Sequence, residues 1–304
     1  EYEEHELDIQ AARPLSLINV AFVKNTFWNG QFGSGSSNIG TEHLWSLRED
    51  TELNHLGFEA IETQNFEGLR VHRISVSQEL VEAFGYKDLF DRSFPEYDVS
   101  ERYSNTTAAL AISAFIRTIT ASKGPFQDWL RGNTSAMTAK EKEGALLFFG
   151  KAKCSSCHYE KNLGSNEFHV LGVKDMDQHP EALNKNEDAR RNLGRGGFTL
   201  KEEDMYKFRV PGLYNLADSP FYFHGSSKKS LEEVIRYKAK ALRENGRVSQ
   251  LKMSEKLHKL ELSESEIDKL VLFLEKSLND PDMERFGLHE VRSGMCTPNN
   301  DPIS

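Results

Sequence analysis

Cys154, Cys157 and His158 stand at a spacing that indicates covalent cofactor chemistry. Residues 154–158 read CSSCH, which is a C-x-x-C-H sequence. Two thiols three positions apart can add to the two vinyl groups on one edge of a porphyrin, and the adjacent imidazole then reaches the iron from one face. The motif predicts a covalently bound haem c with His158 as the proximal iron ligand.

Three other interpretations of this motif are weaker. A zinc site would need two further thiolate or imidazole ligands, and the chain has no second C-x-x-C. A thioredoxin-like redox pair would follow a strand, whereas a capped helix pattern precedes Cys154. Two buried thiols beside an unrelated histidine would be a coincidence in a chain with three cysteines. The third, Cys296, lies in a Pro- and Asn-rich tail and is expected to have no part in haem binding.

The second axial position of the iron is not assigned by composition. Methionine or histidine there makes an electron-transfer site, whereas an open position lets peroxide or oxygen bind. The downstream candidates are His169, His179, Met205, His224, Met253, His258, Met283 and Met295.

The composition limits the classes of partner. The chain has 304 residues, 38% of them hydrophobic, and a net charge of −9. No basic tract is present to neutralise phosphates, so a nucleic-acid partner is not expected. An acidic surface suits a basic redox protein or a neutral small substrate. No apolar run approaches the ~18 residues of a membrane span. The chain begins with Glu and shows no signal-peptide pattern, so we expect a processed or truncated chain.

Helical patterns surround the motif, and no strand pattern of any length is present. Ser77 is a predicted helix cap, and residues 105–120 are apolar on most sides, as in a buried central helix. Capping boxes are predicted at Thr138/Glu141, Ser230/Glu233 and Ser263/Glu266. Residues 27–40 and 160–207 are rich in turn-forming residues. The fold class is therefore mostly α with long loops, and we expect a domain boundary near residue 130.

Several linked segments resemble the bacterial dihaem cytochrome c peroxidase family. Residues 208–238, FRVPGLYNLADSPFYFHGSSKKSLEEVIRYK, are similar to the family's F-K-V-P-x-L-R-N, P-Y-F-H-D-G and S/T-L-E-E-V phrases. PLSLINVAFVKNTFWNG (14–30) resembles its P-S-L-x-N and F-W-D-G segments, and AISAFIRTITASKGPFQDWLRGN (111–133) resembles A-I-A-A-F-x-R-T-L. The resemblance covers about residues 13–278.

The resemblance implies two cytochrome-c-like helical domains, residues 1–130 and 131–304, each with one haem. Trp28 matches the tryptophan between the two haems, and the haem on His158 would be the electron-entry site. Met253 matches the methionine ligand of that haem. His224 would lie near the haem edge and form a hydrogen bond rather than ligate the iron. Asn19, with backbone carbonyls near Val210 and Pro211, matches an interdomain calcium site.

The chain departs from the family pattern in two places. No C-x-x-C-H stands before Pro14, so either an N-terminal haem segment is missing or the protein has one haem; the retained Trp28 favours a missing segment. Gln64 fits the glutamine of the peroxide pocket, but His72 or Arg73 stands where the family has glutamate. Imidazole can replace that carboxylate as the acid/base. His72 could instead ligate the N-terminal haem, or lie on the surface.

The function implied by the resemblance is peroxide reduction outside the cytoplasm, in the periplasm or at the cell surface. A small redox donor, a cytochrome c or a cupredoxin, would pass electrons to the His158 haem and past Trp28 to an N-terminal haem that reduces hydrogen peroxide. One alternative is oxidation of a protein or organic substrate, as in the dihaem enzyme that matures a tryptophan-derived quinone. Another is a non-catalytic electron carrier or haem subunit of a larger assembly. A membrane anchor outside this chain and a homodimer are compatible with all three.

Overall fold

The computed structural model describes residues 12–183, 185–288 and 290–295, and these ranges are mostly helical, as predicted. Short 3-10 turns and loops connect the helices, and none of the described helices is both long and apolar enough to cross a membrane. The helices are α1 (Glu42–Trp45), α2 (Glu49–Glu52), α3 (Ala60–Val71), α4 (Gln78–Ala83), α5 (Lys87–Ser93), α6 (Val99–Arg102), α7 (Asn105–Thr118), α8 (Pro125–Leu130), α9 (Ala139–Phe149), α10 (Gly196–Thr199), α11 (Leu231–Lys240) and α12 (Glu264–Leu272).

The expectation that the chain has no strands is wrong for two short segments. Strand β1 (Phe168–Val170) pairs antiparallel with β2 (Lys207–Arg209), with Phe168 opposite Arg209. Three residues are too few to produce a readable alternation of apolar and polar positions. This pairing brings together the two ends of most of the long loop region over residues 160–207. It also places Arg209 beside the N-terminal loop, because the Arg209 amide donates to the carbonyl oxygen of Trp28 at 2.8 Å.

The predicted helix caps are confirmed with one difference. The capping boxes of α9 and α12 are complete, with Thr138 and Ser263 as the capping residues. Ser77 caps α4. At α11 the Ser230 hydroxyl accepts the Glu233 amide at 3.1 Å, but the Glu233 carboxylate accepts the amide of Lys229 instead of that of Ser230. Each cap satisfies a backbone donor that the first turn leaves free.

The C-terminal core forms where α9, α11 and α12 meet, with Phe148, Leu231 and Phe273 almost completely buried. Helix α9 lies directly against the backbone of α12 at Gly144. A Cβ atom at this position would lie 2.1 Å from the carbonyl oxygen of Lys269 on α12. Glycine is therefore required for the close crossing that brings the end of α9, and the CSSCH segment after it, onto this core.

The N-terminal core forms between α3 and α7, around Phe66, Leu69, Ala108 and Ala109. The prediction that residues 105–120 form a helix buried on most sides is wrong. The small side chains of α7 face α3, whereas Ile112 is 40% exposed and Phe115 is 39% exposed. Apolar character around a helix indicates burial only when partners cover every face.

Buried Arg195 connects the loop region over residues 160–207 to the N-terminal loop. Its guanidinium donates to the Asn29 carbonyl at 3.0 Å, to Asn38 Oδ1 at 2.8 Å and to the Ser37 carbonyl. It also lies over the ring of Phe168. Burial lowers the pKa of Arg195 to about 10. These bonds fix the loop that carries Trp28 against the C-terminal half.

Candidate haem site

The CSSCH segment forms a tight turn directly after α9. Lys153 takes a left-handed conformation (φ 53°), Cys154–Ser156 form a 3-10 turn, and the His158 amide donates to the Cys154 carbonyl at 3.0 Å. This turn presents both thiols and the imidazole to one cavity of about 320 Å³. The three residues that the motif singles out are therefore brought together as covalent haem attachment requires.

The His158 imidazole is fixed in the form that can bind a metal. Its Nδ1–H donates to the carbonyl oxygen of Leu163 at 2.7 Å, which leaves Nε2 as the ring nitrogen with a free lone pair. Burial lowers the pKa of His158 to about 4, so the ring is neutral at physiological pH. A backbone carbonyl on the non-ligating nitrogen is the usual way in which proteins orient a metal-binding histidine.

The two thiols differ in electrostatic environment. Burial raises the pKa of Cys154 to about 11. Burial also acts on Cys157, but its hydrogen bond and charge interaction with His169 outweigh this and lower the pKa of Cys157 below its usual value. Cys157 is therefore the more readily ionised of the two, and the more reactive toward an electrophilic carbon at neutral pH.

The walls of the cavity fit a large planar apolar group with charged edges. Phe148, Leu231, Ile235, Leu270 and Leu274 supply an apolar lining next to the thiols and the imidazole. The cationic residues that line the cavity include Arg209 and Lys238, and in the described part of the chain neither of these two forms an ion pair with a carboxylate. Haem is a group of this kind, since it combines an apolar macrocycle with two carboxylates.

Buried His224 lies at the cavity wall and is tightly held. Its Nε2 is 2.9 Å from Asp175 Oδ1, and its ring stacks on Phe208 with 3.6 Å between centroids. Asp175 is fully buried and also accepts from Asn245 Nδ2 at 2.9 Å and Arg247 Nη1 at 2.8 Å. The imidazole is therefore a fixed hydrogen-bonding group.

Trp28 lies against the edge of His224, with ring centroids 6.2 Å apart. Its indole Nε1–H donates to the carbonyl oxygen of Arg13 at 2.8 Å. Trp28 lines the same cavity as His158. The loop predicted at 27–40 thus carries an aromatic ring from the N-terminal half to the C-terminal site.

Met253 is not brought to the cavity, contrary to its predicted role as distal ligand. Its sulfur packs against Gly172, 2.7 Å from the point where a Cβ of that glycine would lie. From the same segment, Ser254, Leu257 and His258 line the cavity. Met253 directly follows a 3-10 turn over Gln250–Lys252 and precedes the residues of this segment that line the cavity.

The residues predicted for a peroxide pocket are separated. Gln64, on α3, lines the large cavity. His72 and Arg73 are exposed beyond the C-terminal end of that helix. His72 follows Gln64 by eight positions, which corresponds to about 12 Å along a helix axis. The structure does not bring these side chains to one site.

Asn19 is buried and takes a left-handed conformation (φ 61°). Its Oδ1 accepts the Ala121 amide at 3.0 Å, and it lines the cavity with Val210 and Pro211. The side-chain oxygen thus already serves the backbone, and a calcium ion at Asn19 stays a prediction.

Three functional candidates were missed by the sequence analysis. Lys238 could have been found, because it follows Leu231, Val234 and Ile235 at the i, i+3, i+4, i+7 spacing of one helix face. No local sequence pattern indicates Asp175 or Arg209, since their positions in the site depend on how the loop region over residues 160–207 packs.

Comparison with known proteins supports the motif-based resemblance. Residues 3–135 match the family model for di-haem cytochrome c peroxidase. The methylamine utilization protein MauG of Methylorubrum extorquens is 33% identical over 65% of this chain and 50% of its own. The cytochrome c peroxidase of Escherichia coli is 34% identical over 44% of this chain and 27% of its own. The cytochrome c551 peroxidase of Pseudomonas aeruginosa is 28% identical over 72% and 55%. The chain thus spans about half the length, or less, of these relatives.

Solved structures agree at the level of the fold. A MauG-like protein associated with microbial copper homeostasis superposes with a TM-score of 0.62, at 24% identity, over 90% of this chain and 77% of that one. The diheme peroxidase BthA from Burkholderia thailandensis gives a TM-score of 0.52 at 14% identity, over 90% and 70%. With the CSSCH turn and the linked motifs, the family model and the curated relatives confirm the resemblance of this chain to the di-haem cytochrome c peroxidase family.

Proposed function

We propose that this chain is the electron-entry part of an extracytoplasmic di-haem oxidoreductase that reduces hydrogen peroxide with electrons from a small donor protein. The observation that carries the proposal is the His158 imidazole, neutral and fixed through Nδ1 to Leu163, beside two thiols in an apolar cavity. Attachment of haem c takes place outside the bacterial cytoplasm, so the proposed location is the periplasm or the cell surface. The proposed donor is a small cytochrome c or cupredoxin.

Each residue of the site has a separate task in this proposal. Cys154 and Cys157 would hold haem c by thioether bonds, and His158 would bind its iron. When bound, the haem supplies a centre that accepts and passes on single electrons. The apolar wall around Phe148 and Leu270 excludes water from this centre, which favours a stable reduced form. Arg209 and Lys238 offer positive charge to the haem carboxylates.

Trp28 is the proposed connection to the N-terminal half. Two separate groups of buried side chains support a division into residues 1–130 and 131–304, although Phe126 of α8 packs on Phe273 of the second group. Trp28 belongs to the first unit and lines the cavity of the second. The Arg13 carbonyl and His224 fix its ring, so the position is preorganised for electron transfer between the two halves.

Peroxide reduction itself would take place at a second haem on the N-terminal side. Gln64 lines the cavity near that side and is the proposed polar contact for peroxide. His72 or Arg73 would have to turn inward to act as the acid/base, since both side chains are exposed. Calcium at Asn19 is proposed on the resemblance alone.

A second candidate function is oxidation of a protein or organic substrate. The exposure of His72 and Arg73 favours it, because peroxide cleavage would lack a nearby acid/base group. The similarity to MauG also supports it. A non-catalytic electron carrier is the outcome expected if only the His158 haem is present.

Steady-state turnover distinguishes these functions. The full-length protein, produced in a host that matures c-type cytochromes, is mixed with hydrogen peroxide and a reduced small cytochrome c while oxidation of the donor is followed. Peroxide-dependent donor oxidation supports the first proposal. Turnover that is undetectable in a protein with two haems per chain would contradict it and favour a larger substrate. One haem per chain and no turnover would leave an electron carrier.

A further inference from the structure

An exposed apolar surface lies beside the haem attachment turn. Leu146 and Phe149 lie one turn apart on α9 and are 73% and 47% exposed, and Leu130, at the end of α8, is 64% exposed. Phe126 of α8 stacks on Phe149 with ring centroids 5.9 Å apart, which places the two helices side by side. The three exposed side chains therefore form one surface, the α8–α9 patch (Leu130, Leu146 and Phe149). Single exposed apolar residues are ordinary, whereas a group of them marks a site of interaction.

Aromatic contacts connect this patch to the proposed iron ligand. The buried ring of Phe148 lies edge-on to Phe149 at 5.0 Å between centroids, and 6.4 Å from the imidazole of His158. The Ser155 hydroxyl, inside the CSSCH turn, also donates to the Phe149 carbonyl oxygen at 3.5 Å. One buried ring therefore separates a solvent-exposed aromatic side chain from His158. Because electron transfer slows steeply with distance, a docked redox protein would be well placed here.

The patch and Trp28 approach the site through different residues. Trp28 lines the cavity and contacts His224, whereas Phe149 is absent from the cavity lining and contacts Phe148. The C-terminal site thus has one aromatic contact with the solvent-exposed surface and another with the N-terminal half. Separate residues are available for the entry of an electron and for its onward transfer.

Two lysines without carboxylate partners flank the patch. Lys142 lies one turn before Leu146 on α9, and its Nζ donates to the carbonyl oxygen of Thr134 at 2.6 Å. Lys153 is exposed and directly precedes Cys154. Within the part of the chain that the structure describes, neither ammonium group forms an ion pair. Both charges are therefore available to an acidic partner.

Neighbouring carboxylates do not cancel this positive charge, because they already have cationic partners. Asp128 of α8 pairs with Arg131 at 2.6 Å, and Glu143 of α9 pairs with Lys269 at 2.6 Å. The apolar patch is thus flanked by positive charge that the chain itself leaves unpaired.

The net charge of −9 does not describe this face of the protein. Residues 1–130 hold 10 Lys and Arg against 20 Asp and Glu, whereas residues 131–304 hold 28 against 27. The acidic surplus therefore belongs to the N-terminal half. The half that carries the CSSCH turn is close to neutral.

We propose that the α8–α9 patch is the docking surface for the electron donor, and that this donor is a small redox protein with an acidic rim around an apolar face. The inference rests on the electron-entry role proposed above for the His158 site. One electron leaves the metal centre of the donor and passes by Phe149 and Phe148 to the iron held by His158, with no transfer of atoms. Lysines attract the acidic rim, and the apolar side chains exclude water from the contact. A patch of this size suits a transient redox encounter, and its contact with His158 favours a redox partner over a second copy of this chain.

The test measures how fast a reduced small cytochrome c reduces the oxidised, haem-loaded full-length protein in a stopped-flow instrument. Two probe cytochromes of matched potential are used, one acidic and one basic around the exposed haem edge. At low ionic strength we expect the acidic probe to react about tenfold faster than the basic one, and this advantage should disappear in about 1 M salt. Dithionite, which needs no docking surface, is the control reductant.

Substitutions separate docking from electron transfer. Leu146→Gln should raise the acidic-probe concentration that gives half of the limiting rate about tenfold, and leave the limiting rate unchanged. Phe149→Leu keeps an apolar contact but removes the ring, so it should lower the limiting rate severalfold. Lys142→Gln/Lys153→Gln should remove the preference for the acidic probe. Leu251→Gln, which changes a leucine that is 95% exposed outside the patch, is the matched control and should behave as wild type.

Covalent haem content and the rate with dithionite are measured for every variant, so that loss of haem is not mistaken for loss of docking. Unchanged reduction of Leu146→Gln by the acidic probe, or faster reduction of the wild type by the basic probe, would overturn the inference. A wild-type dimer that Leu146→Gln dissociates without slowing reduction would assign the patch to a second copy. Rapid reduction by the acidic probe without peroxide turnover would contradict the proposed peroxide reaction and support this inference. Absence of covalent haem from the wild type would overturn both.

Discussion

The Gly144→Ala substitution tests whether the close crossing of α9 and α12 supports the haem site. The added Cβ would lie 2.1 Å from the Lys269 carbonyl oxygen and 2.8 Å from Phe273 Cβ. Since real Cβ contacts do not fall below 3.0 Å, the two helices must move apart by about 0.9 Å, the difference between these values. Neither neighbour is the end of a flexible side chain, so the backbone must move.

The expected change in the stability of the Gly144→Ala variant follows from two opposing effects. In a helix interior, alanine is more stabilising than glycine by about 1 kcal/mol. Overpacking of a closed core costs about 1–3 kcal/mol, and more when backbone must shift. Because the clash at Gly144 is with backbone atoms, we expect a net loss of about 1–2 kcal/mol in the free energy of unfolding.

Gly68→Ala is the matched control. Gly68 lies inside α3, and a Cβ built there meets no atom within 4 Å. The same substitution should therefore stabilise the protein by about 0.5–1 kcal/mol. Urea unfolding of the haem-loaded protein, followed by circular dichroism at equal haem content, measures both. Gly144→Ala as stable as Gly68→Ala would refute the reasoning on the helix crossing.

Three further predictions address the site and its supports. Cys154→Ala/Cys157→Ala should retain no haem on a denaturing gel, because no thioether can form; a haem stain at wild-type intensity would contradict the attachment site. In the protein with both haems, His72→Ala should slow peroxide turnover about a hundredfold if His72 is the acid/base, and equal rates would exclude it. Although burial disfavours its charge, Arg285 and the backbone amides of the 122–123 and 282 positions lower the pKa of Asp280. Such a carboxylate stabilises the fold above its unfolded pKa of about 3.9 and loses this contribution as the pH falls further. The stability difference between wild type and Asp280→Asn, measured by unfolding from pH 6 to pH 2, should therefore shrink below about pH 4.

The sequence was sufficient to predict those features that depend on the spacing of neighbouring residues. The CSSCH segment singled out Cys154, Cys157 and His158 as residues of one site, and all three line one cavity. The caps at Thr138 and Ser263 depend on residues three positions apart, and both formed as predicted. Longer phrases such as FRVPGLYN identified the family because they keep their order along the chain. In each case the information lies within a few consecutive residues.

Prediction failed where a position depends on distant contacts. Met253 and His258 lie five residues apart in one irregular segment, and local spacing gives no reason to prefer either. Their positions are set by Gly172, which contacts the Met253 sulfur, and by Ser156 and Ala239, which anchor the chain on each side of His258. These residues come from segments that precede His258 by 19 to 102 positions. The position of a side chain in such a loop is therefore set by the packing around it.

The charge distribution in the cavity indicates which kind of group the cavity can bind. Arg209 and Lys238 are cations in an apolar environment, and burial lowers their pKa values to about 10 and about 8. A buried cation without a paired anion is costly, so such residues persist where an anion completes the site. Among the described residues, the Arg209 guanidinium donates only to the carbonyl oxygens of Phe27 and Val210, at 3.3 and 3.4 Å. The cavity therefore supplies a neutral imidazole and two thiols for the iron and its macrocycle, together with two positive charges for an anionic edge. A structural zinc ion held by the same thiols would use neither cation, and this asymmetry favours haem over a metal ion alone.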